Sequence, residues 1–295
     1  MRPASEAVAR QACAKINLAL HVTGRRADGY HLLDTLAVFT GLGEGMGDAL
    51  RFVSADELSL HVTGRFGAEI PRGPDNLVLR AARALAERCP DRPIRGADIF
   101  LDKELPAGAG IGGGSCDAAA TLLALNDLWH CRLDMKSLVE IGAGLGADVP
   151  MGLFASALRA RGIGEEISLL PFLPALPVVL VWPGRPVSTA KVFAALCRHD
   201  GDPVPPVPER LADPAAVTAY LGATRNDLQD AAIATEPAIE QALQALAQTP
   251  ALMVRMSGSG STCFGIYDDA QTAETAAEAL AEAHPEWWVR AALAG

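Results

Sequence analysis

Between Pro106 and Trp129 the chain reads Gly108-Ala-Gly-Ile-Gly-Gly-Gly114, then Ser115-Cys116-Asp117, then a helix-forming run from Ala118 to Trp129. Glycine lets a backbone approach a ligand closely and take positive φ, so successive N–H groups can converge on an anion. A helix that follows adds its free N–H groups and the positive end of its dipole. This is the chemistry of a nucleotide-phosphate cradle. It is not a Walker A loop, because no lysine stands between Pro106 and Trp129 to reach the terminal phosphates. Gly108, Gly110 and Gly113 match G-x-G-x-x-G. However, Glu104-Leu-Pro-Ala107 separates them from the preceding strand, and the acid at the right distance, Asp134, falls at a helix start. A dinucleotide fold is therefore set aside, and a plain connecting loop remains the alternative. A second glycine cluster, Gly41 to Gly47, carries Glu44 and neighbours Asp48 with no cation, which makes it a connector that would repel phosphate.

Other candidate groups depend on the elements that hold them. From Ala12 to Val22 the even positions are all apolar, while the odd ones include Lys15, Asn17 and His21. Period two predicts one strand with a single face in a core, Lys15 and Asn17 projecting together from the other. Lys15 on that face serves either solvent or chemistry. Arg25 to Gly29 forms a turn, and a second strand covers Leu32 to Phe39. Ala49–Val53 and Leu58–Val62 suggest a hairpin. Asp75 would cap a helix carrying Leu77, Val78, Ala81, Ala82 and Leu85, with a strand over Ala97–Leu101. Another helix runs from Asp134 to near Gly144, and Asp148 sits in the loop Gly146–Pro150 beyond it. After about Gly164 the texture changes. Pro203 to Pro208 is an extended surface loop, followed by Ala-rich helices, strands at Leu252–Met256 and Cys263–Tyr267, and a final helix over Thr272–Ala283. Between those two strands lies Ser257-Gly-Ser-Gly-Ser-Thr262. The pattern is α+β in two domains, 1–163 and 164–295.

Three segments taken together resemble the motifs of the GHMP kinase superfamily. They are Ala14-Lys-Ile-Asn-Leu18 with Arg26-Ala-Asp-Gly-Tyr-His31, Leu105 to Ala118, and Ser257 to Cys263. Gly146-Ala-Asp-Val-Pro150 and Asn226-Asp-Leu228 extend the resemblance, which is strongest to the branch that phosphorylates a cytidine-diphosphate-linked polyol in non-mevalonate isoprenoid synthesis. It implies an N-terminal α/β domain like the second domain of ribosomal protein S5, a ferredoxin-like C-terminal α/β domain, and an active site in the cleft between them. It implies Asp148 as the base that takes the hydroxyl proton and Lys15 as its cationic assistant. It implies that Pro106, Ala107, Gly108, Ala109, Gly110, Ile111, Gly112, Gly113, Gly114, Ser115 and Cys116 cradle the phosphates of ATP. Asn17, Tyr30, His31 and Phe193 fall on the substrate side, His31 hydrogen bonding the cytosine while Tyr30 and Phe193 supply its aromatic faces. Without the resemblance, Asp148 reads as an ordinary loop aspartate and Tyr30-His31 as a turn-flanking pair. His21 is structural. Cys116 departs from the serine common in the family, and a thiol is a weaker donor and a poorer Mg²⁺ ligand. Asp117 favours the helix dipole but mildly repels phosphate. Mg²⁺ is carried mainly by ATP, with no protein metal site. The rival readings are another GHMP kinase, of homoserine or mevalonate type, and a non-catalytic nucleotide-binding homologue.

Composition narrows the partners. The 295 residues hold 25 Lys plus Arg against 35 Asp plus Glu, a net charge of −10, which disfavours nucleic acid and anionic lipid. The greasiest stretch, Leu169 to Trp182, is broken by Pro171, Pro174 and Pro177, and no signal-peptide pattern opens the chain. The expectation is a cytoplasmic enzyme with a small-molecule substrate, monomeric or weakly dimeric. Six scattered cysteines without C-x-x-C spacing exclude a zinc motif, and all but Cys116 read as small buried hydrophobes. A serine-hydrolase elbow fails at Ser259, flanked at ±2 by Ser257 and Ser261 instead of glycines.

Overall fold

The computed structural model describes residues 7–41, 46–89 and 96–295. Most of the connector cluster, residues 42–45, lies outside them. The chain packs into two units, each built from non-contiguous segments: 1–14, 45–107 and 112–155 in one, 15–44, 108–111 and 156–295 in the other. With elements numbered in chain order, the first unit holds a sheet of β1 (Ala7–Cys13), β4 (Gly47–Ala55), β6 (Gly96–Asp102) and β5 (Ser59–Thr63), in that order across the sheet. β5 runs parallel to β6 and the other pairs are antiparallel. The expected hairpin of residues 49–62 is therefore absent: β6 inserts between its two strands, a long-range pairing that local turn signals do not reveal.

Helix α1 (Leu77–Glu87) buries Val78, Leu79, Ala81, Ala82 and Leu85. Its cap is Asn76, one residue later than expected, whose side chain accepts from the Val78 N–H at 2.9 Å. Helix α2 (Gly113–Leu128) lies across β1 and β4 with α1, α3 (Met135–Leu145) and α4 (Val149–Phe154) packed around it. Asp134 caps α3 through Ser137, as the sequence indicates. Cys89 and Cys131 form a disulfide across the ends of α1 and α2, and Cys197 is exposed. The reading of the cysteines other than Cys116 as buried hydrophobes thus holds only for Cys13 and Cys263, and Cys116 is buried as well. The helix packing brings the pair's Cα atoms within 5.4 Å despite 42 residues of separation.

In the second unit, β2 (Lys15–Arg25), β3 (His31–Phe39), β7 (Leu158–Gly162) and β8 (Glu166–Leu169) form an antiparallel sheet. A second sheet has the order β10 (Met253–Met256), β11 (Cys263–Ile266), β9 (Leu176–Trp182), β12 (Trp288–Ala294). Around them lie α5 (Thr189–Ala194), α6 (Pro214–Leu221), α7 (Gln229–Thr235), α8 (Ala238–Ala247) and α9 (Ala270–Ala283). α8 packs on β10 and β11, and α9 on β9 and β12. The strand expected over 12–22 is two strands broken at Ala14, in different sheets. The expectation of one buried face is also corrected. Every residue from Lys15 to Val22 is buried, because the chain at Asn226 bridges to Leu20 on the edge opposite β3. Arg255 is buried there too, its guanidinium donating to the carbonyls of Leu18, Leu221 and Thr224 and to the Thr224 hydroxyl. Burial pushes that arginine down to about 10. No helix among the described residues is long and apolar enough to cross a membrane.

Candidate active site

The centre of the glycine loop, residues 108–111, belongs to the second unit and is fastened there on two sides. The Lys15 N–H donates to the Ile111 carbonyl at 2.8 Å. The Thr262 N–H donates to the Ala109 carbonyl at 2.9 Å, and the Ser257 hydroxyl donates to the Gly110 carbonyl at 3.2 Å while accepting from the Asn17 N–H at 3.1 Å. Three motifs spread over more than two hundred residues of chain thus meet through main-chain bonds and the Ser257 hydroxyl. Glycine is required where they touch. Gly110 has φ +78°, and a Cβ there would stand 2.5 Å from the Gly260 carbonyl oxygen. Gly110→Ala is expected to lower stability by at least ~1–3 kcal/mol of backbone strain, with the clash additional, read by thermal unfolding.

Lys15 is buried, at 4 % exposure, on a continuous strand. Asn17 donates from Nδ2 to the Thr35 hydroxyl at 2.8 Å, and its Oδ1 is buried without a hydrogen-bond partner among the described residues. His31 stacks on Phe193, ring centroids 4.8 Å apart, and its Nε2 hydrogen bonds Nδ1 of His199 at 3.0 Å. Burial first, then His199 and Arg25, hold His31 below the usual histidine range. Tyr30 beside it is exposed. His199 is missing from the sequence reading: it follows a stretch with no periodic signal, and only folding brings it to His31. His21 has both ring nitrogens engaged, accepting from the Arg225 N–H at 3.0 Å and donating to the Asp202 carbonyl at 2.9 Å, as a structural residue should. A cavity of about 680 Å³ in this unit is lined by Arg198, Arg225, Asp227 and Arg255 among others. The Arg225 guanidinium is tied to Asp227, and Arg255 is engaged as described.

In the first unit the loop's two ends rest on a buried ion triad that sequence reasoning missed. Lys103 Nζ contacts Asp48 Oδ2 at 2.5 Å and Asp117 Oδ2 at 2.6 Å. Asp48 Oδ1 also accepts from the N–H groups of Glu104 and Leu105 at 2.7 and 2.8 Å. Asp48 is therefore an anchor of the loop and not a connector acid, and Asp117 faces an ammonium instead of phosphate. Burial opposes the Lys103 charge, but the two carboxylates together overcome it, and its pKa is raised. Cys116 is buried, with α4 close by: a Cβ on Gly152 would lie 3.5 Å from its sulfur. Asp148 stands at the start of α4, half-buried, and makes no side-chain capping bond to it.

These motifs on this fold define a GHMP kinase. The family of GHMP kinases N terminal domains matches residues 76–157, and that of GHMP kinases C terminal domains matches 209–286. The chain belongs, within it, to the 4-diphosphocytidyl-2-C-methyl-D-erythritol kinases. It is 49% identical to the kinase of that name from Mesorhizobium japonicum over 94% of this chain and 92% of that one. The counterpart from Brucella melitensis is 48% identical over 97% and 94%. A crystal structure of a 4-(cytidine 5'-diphospho)-2C-methyl-D-erythritol kinase superposes with a TM-score of 0.77 at 35% identity, covering 98% of this chain and 99% of that one. The homoserine kinase of Cytophaga hutchinsonii shares the fold alone, at 16% identity, TM-score 0.65 and coverage of 99% and 96%. The expected two-domain GHMP kinase fold is thus correct, and the protein is a small-molecule kinase.

Proposed function

We propose that this kinase transfers the γ-phosphoryl group of ATP to the 2-hydroxyl of 4-diphosphocytidyl-2-C-methyl-D-erythritol, in the cytoplasm, as a step of non-mevalonate isoprenoid synthesis. The observation that carries the reading is the seating of Gly108–Ile111 on both the Lys15 strand and the Ser257–Thr262 turn. Fixed main-chain amides suit a reaction in which most of the catalysis is positioning and charge neutralisation. The family domains are taken as 1–163 and 164–295, with the matched segments 76–157 and 209–286 falling on either side.

In this reading the segment Pro106–Cys116 holds the phosphates of ATP, the donors being backbone N–H groups between Pro106, which has none, and Cys116, whose N–H bonds the Gly112 carbonyl. The Asp148 carboxylate accepts the proton of the substrate hydroxyl as its oxygen bonds to the γ-phosphorus and the bond to ADP breaks. The Lys15 ammonium stabilises the charge that develops on the transferring group, and a lysine on a rigid strand suits that task. Asn17, Tyr30, His31 and Phe193 form the substrate side. The stacked His31–Phe193 pair supports recognition of a flat base. Asp48 and Asp117 beneath the loop are committed to Lys103, so Mg²⁺ would be held mainly by the nucleotide, where it would offset phosphate charge.

The test is ADP release with Mg·ATP and the cytidyl substrate, run beside homoserine and mevalonate. Turnover with the cytidyl compound alone is expected. Turnover with another alcohol would discard the substrate assignment and keep the kinase.

A further inference from the structure

The charges beneath the glycine loop do not balance. Asp48, Lys103 and Asp117 place two carboxylates and one ammonium in a space closed to water, at 0 %, 2 % and 2 % exposure. An uncompensated negative charge there is costly, and proteins relieve such a charge by binding a proton. The hydrogen bonds say where it goes. Asp48 is served on both oxygens, by two backbone N–H groups and by Lys103. Asp117 takes Lys103 on Oδ2 and has no partner on Oδ1 among the described residues. The carboxylate with fewer donors is the poorer home for charge. Burial, aided by Asp48 and opposed by Lys103, pushes Asp117 up to about 7.

The triad also lies where a phosphate would be felt. Asp48 holds the main chain at Glu104 and Leu105, just before the loop begins, and Asp117 lies in the second turn of α2, just after it ends. A Cβ on Gly113 would stand 3.2 Å from Lys103 Nζ and 3.7 Å from Asp48 Oδ2, so the triad sits directly under the first turn of α2. At such distances and at low dielectric, an added anion shifts a carboxylate's titration strongly.

We propose that Lys103, Asp48 and Asp117 are the positioning residues of the glycine loop, clamping its entry to its exit, and that Asp117 takes up a proton when phosphate docks above it. The inference rests on the reading of residues 106–116 as a phosphate cradle. The other ionisable groups on elements packed against α2 do not compete. Arg10 and Arg51 on β1 and β4, Arg80, Arg83 and Glu87 on α1, and Lys136 and Glu140 on α3 are all exposed. Cys13 on β1 is a buried thiol pushed up to about 11, and Asp148 stands at the start of α4.

The experiment is calorimetric titration of the whole enzyme with the Mg²⁺ complex of a non-hydrolysable imido analogue of ATP, in buffers of different ionisation enthalpy. Wild type is expected to take up a fraction of one proton at slightly alkaline pH, falling to none in acid, where Asp117 is already protonated. Asp117→Asn, which keeps an oxygen for Lys103, should bind the analogue with that uptake lost, and its KM for ATP should rise less with pH than that of wild type. If the variant does not fold, the wild-type profile alone decides: uptake that is absent throughout overturns the proposal. Binding with the same proton count in wild type and Asp117→Asn overturns it too, while leaving the cradle intact. Failure of the wild type to bind the analogue overturns the cradle reading, and this inference with it.

Discussion

Asp148→Asn is expected to bind nucleotide as wild type does and to lose about 10²–10⁴-fold in kcat, the range a positioned general base contributes. The substitution is nearly isosteric and removes the negative charge together with the capacity to accept a proton. The Asp148 side chain makes no capping bond to α4, where the main-chain carbonyl already accepts from the Gly152 N–H at 3.2 Å, so the start of that helix does not depend on the carboxylate. The two readouts therefore separate: nucleotide affinity by calorimetry should hold while ADP release collapses. An alcohol is a poor nucleophile at neutral pH, so the loss should fall on kcat and on kcat/KM alike, as for an interaction made only in the transition state. A variant with near wild-type kcat would show that Asp148 is not the base.

The candidate site was legible in the sequence where local chemistry demands a residue type, and illegible where only distant packing does. The glycine run declares itself because Gly110, with φ +78° against the Gly260 carbonyl, admits no other residue. Strand β3 and helix α3 are likewise announced by a turn and by a cap that lie beside them in the chain. The second face of β2 was hidden. Lys15, Asn17 and His21 alternate like a solvent face, yet they are buried because another part of the chain covers them with polar partners. Strands β9 and β12 carry no short-range signal of their pairing, and β5 was assigned to β4 when its partner is β6. The triad is the sharpest case. Lys103 sits between Asp102 and Glu104 in what looks like a solvated charge run, and Asp48 follows a glycine connector. Nothing local distinguishes a lysine that will be enclosed by two carboxylates, since its burial follows from where β4, β6 and α2 come together.

Lys103→Met should be the most damaging single change to stability. The methionine fills much the same volume, so the loss is electrostatic: two buried carboxylates are left facing each other without their cation. Breaking a buried ion pair by removing one partner costs about 3–5 kcal/mol, a large part of the stability of an ordinary domain. The dependence on pH identifies the cause. Asp117 is already raised above the ordinary carboxylate range in the intact triad, by burial first and by Asp48. Without Lys103 to oppose burial and Asp48, Asp117 shifts further up. A group whose folded pKa lies above its unfolded value contributes stability that is present at low pH and is lost as pH rises through the folded value. The deficit of Lys103→Met should accordingly be smallest near pH 5 and grow toward pH 8, by up to about 1.4 kcal/mol per pH unit for each group titrating. Adding Asp117→Asn removes one of the two opposed charges and should recover part of the loss at pH 8 and little of it at pH 5. Asp48, still held by the N–H groups of Glu104 and Leu105, then stands as a single satisfied carboxylate. Denaturant unfolding of the two variants at both pH values measures the pattern. A deficit independent of pH, or a double variant no better than the single at pH 8, would mean that Lys103 acts by packing and not by charge.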